Sequence, residues 1–382
     1  MTKPDDAVVT HVMRTYGAHG GEHQLAQYFA AEPVGRVREH FAFVYRDPDC
    51  AELFQQTGAR VDRHDLYPRP IAPRQNPWRE VLVLLPLLPL LQWRLIRLLR
   101  RTGTRVCVVH GIQAALVAWP AGMILRRRVG FLYVHRITKA MGRHAWLHWL
   151  YAPYGALGGV SRAVTRSLAA IAPEDRLVVL ENGVDWRSIE QRARTGPQPV
   201  AVVGAALIAV GRLLAHKRQA LLIDAFAQLA SRRPELQLWI VGDGAERASL
   251  EGEANRLGVA ERVVFWGHRT DVPHLLATAT LFVNASSWEG MSNAVLEAMA
   301  LGLASVVVDA PGVSECHLDG ETGLIVQADV TAIATAIASL LDDAERRKRM
   351  GEAARNRVRS VYSIEANRRR FLDVYRRLAE VA

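Results

Sequence analysis

The sequence predicts an α/β protein with two open parallel sheets, and three observations carry that prediction. Short apolar runs alternate with amphipathic stretches of helical period along the whole chain, the signature of repeated β-α units. At 382 residues, 50% of them hydrophobic, the chain can bury more than one large core. A turn-rich, apolar-poor stretch containing Arg194-Thr195-Gly196-Pro197-Gln198-Pro199 separates two sets of strands. The expected division is residues 1–193, a linker at 194–204, residues 205–360 and a terminal piece at 361–382.

In the first half, strands are expected at Val8–Val12, Phe41–Tyr45, Val106–His110, Gly130–His135 and Leu157–Val160. In the second half they are expected at Leu207–Val210, Leu236–Val241, Val263–Trp266, Leu281–Asn284, Ser305–Val308 and Leu324–Val326. Two such sheets enclose a cleft, and ligands bind at the carboxyl ends of their strands. Val81 to Leu91 is the one long apolar run. It is about half the length a bilayer span needs and contains Pro86 and Pro89, so it reads as a buried or interfacial segment.

The formal charge is +10, and the excess is mostly arginine in the stretches 94–105, 126–143 and 346–377. Solvated helix faces come first among the explanations, contact with anionic membrane lipid second, and nucleic acid a distant third. The stretch from Arg126 to Tyr154 mixes basic residues with Trp146, Trp149, Tyr151 and Tyr154, which suits either a membrane interface or packing on its own sheet. Cys50, Cys107 and Cys316 lie far apart, without metal-ligand spacing, as in a reducing compartment. Met1 to Asp6 shows no secretory signal, so a cytoplasmic location is expected.

The chemistry concentrates in Ser286-Ser287-Trp288-Glu289-Gly290-Met291-Ser292-Asn293-Ala294-Val295-Leu296-Glu297. Glu289 precedes an apolar helix and Glu297 lies on it, eight positions later. Gly290, Met291, Ser292 and Asn293 open that helix, where free N–H groups form an anion seat. A diphosphate on the helix start, with one acid towards each end of the ligand, is the layout that grips a nucleotide-sugar. Arg212 and Lys217 follow the strand ending at Val210 and bring two cations to a strand end. Gly242 and Gly244 follow the strand ending at Val241, where a bare backbone lets a ligand approach.

The run GRLLAHK, IVGDG, VVFWG, LFVNASSWEGMSNAVLEAMALG and DGETGLIV, from Ala206 to Val326, resembles the retaining glycosyltransferases of family four, which have the GT-B fold. The glutamate pair matches that family's E-x7-E motif. The Gly158-Gly159-Val160-Ser161 and Glu181-Asn182-Gly183-Val184-Asp185 segments are weaker matches. The stretch Tyr362 to Leu378 is similar to the helix that crosses back onto the first domain. The resemblance implies that Arg212 and Lys217 bind the donor diphosphate, Glu297 takes the ribose hydroxyls and Glu289 contacts the transferred sugar. It implies that Gly290, Met291, Ser292 and Asn293 line the phosphate–sugar junction, that Gly267 and His268 border the base, and that Gly242 lies near the donor. From the first half it implies a sugar-facing His135, which alone would read as a satisfied histidine at a strand end. It further implies a glycine loop at Gly20 and Gly21.

Three departures from the family pattern stand out. His19 occupies the first glycine position when the loop is aligned on Glu22, Ala215-His216 replaces a Pro-Glu pair before the lysine, and Pro311-Gly312-Val313-Ser314-Glu315 replaces a glycine-richer turn. The expected activity is transfer of a hexose, with retention, from a UDP- or GDP-linked donor to a hydroxyl of a glycan or lipid-linked acceptor. No metal or other cofactor is expected, nor nucleic acid. Peripheral contact with an anionic membrane, at its inner face, fits the basic, aromatic first half. Domain closure is expected to hinge near Gly196 and at the crossing helix. Two other readings stay open: a nucleotide-sugar epimerase on the same architecture, and a non-catalytic sugar-nucleotide-binding protein.

Overall fold

The computed structural model describes residues 7–15, 17, 20–32, 37–70, 77–136, 148–196 and 204–381, with the backbone alone at 77–83 and 381. His19, the 137–147 part of the aromatic stretch with Trp146, and residues 197–203 of the expected linker lie outside the described residues. The chain divides into two compact units, Met1–Gly183 with Ile364–Ala382, and Val184–Ser363.

The first unit runs β1 (Val8–Met13), α1 (Gly20–Ala30), β2 (Arg38–Phe43), α2 (Pro48–Gln56), β3 (Asp62–Asp65), α3 (Pro77–Thr102), β4 (Val106–His110), α4 (Ile112–Leu125), β5 (Gly130–His135), β6 (Ala156–Gly159), α5 (Arg162–Leu168) and β7 (Leu177–Val179). The second runs α6 (Trp186–Arg194), β8 (Ala206–Val210), α7 (Gln219–Ala230), β9 (Gln237–Val241), α8 (Arg247–Arg256), β10 (Val263–Gly267), α9 (Val272–Thr278), β11 (Leu281–Asn284), α10 (Asn293–Ala300), β12 (Ser305–Val308), β13 (Leu324–Val326), α11 (Val330–Asp342) and α12 (Ala344–Val361). The last helix, α13 (Ile364–Val381), belongs to the first unit.

The named strands pair in parallel, in the orders β3-β2-β1-β4-β5-β6-β7 and β10-β9-β8-β11-β12-β13. Helices cover both faces of such sheets, so inner strands read as continuous apolar runs, and β4 and β12 are buried at every position. In each sheet the strand order reverses once, between β1 and β4 in the first and between β8 and β11 in the second. Loops leaving the carboxyl ends of those strands diverge and leave room for a ligand.

The eleven expected strands are present, five of them with the expected bounds (Val106–His110, Gly130–His135, Leu281–Asn284, Ser305–Val308 and Leu324–Val326) and six with an end shifted. The largest shift is in the second, which spans Arg38–Phe43. Two edge strands escaped the sequence reading. β3 is Asp-Arg-His-Asp, largely exposed, and β7 is three residues long, so neither displays an apolar run. The change of unit comes at Gly183/Val184, earlier than the 194–204 stretch. The intervening residues form α6, whose Ile189 is buried and whose Ala193 carbonyl lies 3.1 Å from His274 Nδ1. Gly196 also packs on the His274 ring, so the segment proposed as a hinge is built into the second unit.

The Val81–Leu91 run lies within α3. Leu84, Leu91, Leu95 and Leu99 line its buried side at helical spacing. Among the described residues no helix is long and apolar enough to cross a membrane. Of the aromatic stretch, Tyr151 and Tyr154 are buried beside Tyr133, at ring-centroid distances of 4.8 and 5.8 Å, while Trp149 stays exposed against Trp119. Cys50, Cys107 and Cys316 are buried and form no disulfide.

Candidate active site

Two of the charged residues singled out in the sequence, Lys217 and Glu289, meet at the switch point of the second sheet. The loop after β8 is fastened to the loop after β9 by backbone hydrogen bonds from Gly211 to Val241 (2.9 Å) and from Leu213 to Asp243 (3.0 Å). A Cβ at Gly242 would collide with the Gly211 carbonyl, and one at Gly244 with the Leu213 carbonyl. Glycine is needed at both positions because backbone meets backbone there. A short turn over Ala215–Lys217 follows, and Arg218 then takes φ +50° before α7 begins. Arg218 is the single positive-φ non-glycine residue among those described, a strained conformation that reverses the chain beside Lys217.

Lys217 reaches back to the loop after β11. Its Nζ lies 2.9 Å from Glu289 Oε1, and both side chains are mostly covered. The same oxygen accepts hydrogen bonds from Ser286 Oγ (2.8 Å) and Asn284 Nδ2 (3.2 Å). Three donors therefore fix Glu289 through Oε1. The two loops are clipped again where Ser287 N and Oγ donate to the His216 carbonyl, at 2.8 and 3.1 Å, and the His216 ring stacks on Trp288 at 4.4 Å. The Ala215-His216 departure thus supplies a contact that stiffens the loop.

The turn at Pro311 to Glu315 braces the other side of this loop. Glu289 N donates to the Pro311 carbonyl (2.9 Å) and Ser292 N to the Gly312 carbonyl (3.2 Å). Gly312, at φ +71°, lies so close to the Glu289 and Gly290 carbonyls that a Cβ would clash. Glu315, whose role the sequence left open, accepts a bond from Gly312 N at 3.2 Å. Sequence reasoning missed Asn284, Ser286 and Gly312. Polar residues at the end of an apolar strand were the available signal for the first two.

Ser292 caps α10 without a side-chain hydrogen bond, so its side chain does not occupy the N–H groups of the first turn. Arg212 is exposed at the rim, and its carbonyl accepts from Gln219 Nε2 at 3.1 Å. Glu297 lies half-buried, one turn into α10, and its side chain accepts no hydrogen bond from the described residues. Burial pushes its carboxyl up to about 7, against the pull of Arg192 on α6. Gly267, at φ +65°, accepts from Gly242 N at 2.8 Å, and His268 beside it is exposed. Among the described residues, no three His, Cys, Asp or Glu side chains gather as a metal ion would need.

His135, Gly20 and Gly21 belong to the first unit and sit at the carboxyl end of its sheet. Gly20 and Gly21 open α1 after β1. His135 ends β5, is buried, and has Nδ1 3.1 Å from the Tyr133 hydroxyl. Burial lowers its pKa to about 4, so the imidazole is neutral near pH 7, and its Nε2 has no partner among the described residues. An unsatisfied buried ring nitrogen is costly unless a ligand completes it. That observation favours the ligand-facing reading over that of a satisfied histidine.

Residues 204–357 match the model of the glycosyl transferases group 1. A GDP-mannose-dependent α-(1-6)-phosphatidylinositol monomannoside mannosyltransferase of Mycolicibacterium smegmatis is 32% identical over 276 residues, 68% of this chain and 67% of the relative. The lipopolysaccharide core biosynthesis glycosyltransferase LpsE of Rhizobium meliloti is 35% identical over 161 residues, 42% of this chain and 46% of that one. Anabaena HepE in complex with UDP superposes with a TM-score of 0.78 at 19% identity, covering 96% of this chain and 99% of HepE. That likeness extends the shared fold to nearly the whole chain. The match to two thirds of the mannosyltransferase, the family model over residues 204–357 and the two parallel sheets agree: this chain is a glycosyltransferase of group 1, on the GT-B fold.

Proposed function

We propose that this glycosyltransferase moves a hexose from a UDP- or GDP-linked donor to a hydroxyl of a glycan or lipid-linked acceptor, with retention at the anomeric carbon. The Lys217–Glu289 pair carries the reading, because it fixes a cation beside the start of α10. The bond between the anomeric carbon and the diphosphate oxygen breaks, and its electron pair leaves with the nucleotide. The acceptor oxygen bonds to the same face of that carbon, and its proton passes to the departing phosphate. Arg212, Lys217 and the first-turn N–H groups of α10 offset the charge that develops on the diphosphate. This reading needs no resident cofactor.

Glu297 accepts hydrogen bonds from the ribose, Glu289 faces the sugar through its second oxygen, and Gly267 and His268 border the base. Gly290, Met291, Ser292 and Asn293 line the phosphate–sugar junction, with Gly242 near the donor. Neutral His135 would take a sugar hydroxyl without attracting the diphosphate, and Gly20 and Gly21 form the first-unit loop at the donor. The relatives support both donor bases, since one is named for GDP-mannose and HepE was solved with UDP.

Peripheral contact with an anionic membrane, at the cytoplasmic face, is part of the same reading. It is supported by α3, where Leu85, Leu90 and Trp93 are 58%, 36% and 55% exposed. Exposed Arg97, Arg100 and Arg101 continue along that helix, and Arg97 stacks over Trp93 at 5.4 Å. Apolar and basic side chains in succession suit a lipid interface.

A melting-temperature screen with UDP, GDP, ADP and their sugar conjugates tests the donor, because a ligand of the folded state raises the transition. A shift with one nucleotide, followed by acceptor-dependent release of that nucleotide, is expected. No shift with any of them removes the reading. An altered sugar released without an acceptor would instead make the protein an epimerase, and binding without turnover a non-catalytic binder. Flotation with phosphatidylglycerol vesicles should be salt-sensitive and exceed that with phosphatidylcholine. Equal recovery from both removes the membrane contact.

A further inference from the structure

A line of buried polar side chains crosses the first unit where its strand order reverses, and nothing in the donor chemistry uses it. It starts at Arg136, directly after His135. The guanidinium donates from Nη1 to Gln24 Oε1 and from Nη2 to His110 Nδ1, both at 3.4 Å. Its side-chain Cδ lies against Gly21, 3.7 Å from where a Cβ would stand. Arg136 therefore touches the end of β5, the start of α1 and the end of β4.

The bonding beyond Arg136 has a fixed direction. A guanidinium only donates, so His110 Nδ1 accepts and its ring proton sits on Nε2. That proton is donated to His11 Nδ1 at 3.0 Å, which puts the His11 proton on Nε2, facing the Tyr375 hydroxyl at 3.3 Å. Tyr375 then donates to Tyr28 at 3.3 Å, and Tyr28 to Glu39 Oε1 at 2.9 Å. Glu39 Oε2 accepts from Arg368 Nη2 at 3.0 Å. The line runs from the sugar-facing strand end to α13, which carries Arg368 and Tyr375, and every link needs its neighbour in one tautomer or rotamer. Burial keeps both imidazoles neutral, as this pattern demands.

We propose that Arg136 is a positioning residue for His135: it ties the end of β5 to the start of α1 and, through His110 and His11, to α13. The proposal rests on the reading of His135 as sugar-facing. Displacing the guanidinium frees the backbone that aims the His135 ring while leaving the second unit's donor loops untouched.

The test uses the full chain with 15N-labelled histidine, its ring resonances assigned by single substitutions. In the parent, His11 and His110 should both carry the proton on Nε2. In Arg136→Met, the His110 pattern should change and the His135 ring signals should shift or broaden. Release of nucleotide from the donor found in the melting screen should lose about tenfold or more in kcat, with donor KM within about twofold. Arg136→Lys should restore part of both. Unchanged His135 signals in Arg136→Met, or a donor KM that rises while kcat and the melting temperature fall, would overturn the proposal. If Arg136→Met does not fold, Gln24→Met removes the α1 end of the tie and must disturb His135 in the same way. A parent that releases no nucleotide overturns the transferase reading, while the ring spectra still decide whether Arg136 positions His135.

Discussion

The carboxyl ends of the two sheets are built on opposite principles. In the second unit the groups are charged, partly exposed and neutralised by one another, with Lys217 held on Glu289 by loops that pack backbone against backbone. In the first unit the groups are buried, with His135 neutral and without a partner at Nε2 among the described residues, and a directional hydrogen-bonded line behind it. A diphosphate needs positive charge that is already in place, and a partly wet loop tolerates such charge. A sugar hydroxyl needs one aimed nitrogen, which a dry, rigid strand end provides.

The largest effect should come from removing the charge. Lys217→Ala is expected to lower kcat by about 10²–10³-fold, as the loss of a single preorganised stabilising group does elsewhere. Unchanged steady-state kinetics, with normal folding, would end the donor-site assignment. His135→Gln probes the first unit, and kcat should fall by about 10–100-fold while nucleotide affinity, measured by calorimetry, stays within about twofold. A parallel loss of nucleotide affinity would erase the contrast between the two ends.

A smaller effect is expected at Glu297. With its carboxyl pushed up to about 7, it holds a proton below that pH and must release it to accept ribose hydroxyls. Nucleotide affinity should therefore weaken as pH falls from 8 to 6, by up to about tenfold per unit, more steeply than in Glu297→Gln. Equal slopes in the two proteins would sink this role.

The remaining effect concerns stability rather than activity. Burial lowers His135 and His317 from the ordinary 6.5 to about 4. Between those values the unfolded chain binds protons that the folded chain refuses. Stability is thus complete above about 6.5 and is lost as pH falls towards 4, by at most about 1.4 kcal/mol per unit for each ring. Urea midpoints at pH 7 and pH 5 measure it, with His317→Gln expected to shrink the difference. Identical midpoints would contradict the buried, neutral state of these rings.

Legibility in the sequence followed burial and local spacing. β1, β4, β8 and β12 could be read because strands covered on both faces must be apolar. β3 could not, since an edge strand of Asp-Arg-His-Asp owes its conformation to pairing with β2. In α3 the run of leucines was visible, but the side facing solvent emerged only once Leu84, Leu91, Leu95 and Leu99 had found the core.

The same boundary runs through the site. The E-x7-E spacing, the glycines after two strands and the cations after a third are short-range facts that a backbone must satisfy wherever it folds, so the sequence alone determined these loops. Who meets whom was decided by the tertiary structure. Lys217 bonds Glu289 across 72 positions, His11 bonds His110 across 99, and Tyr375 closes on His11 across 364. Such pairs leave no periodic trace, because a hydrogen bond between distant residues constrains their geometry without constraining the residues between them.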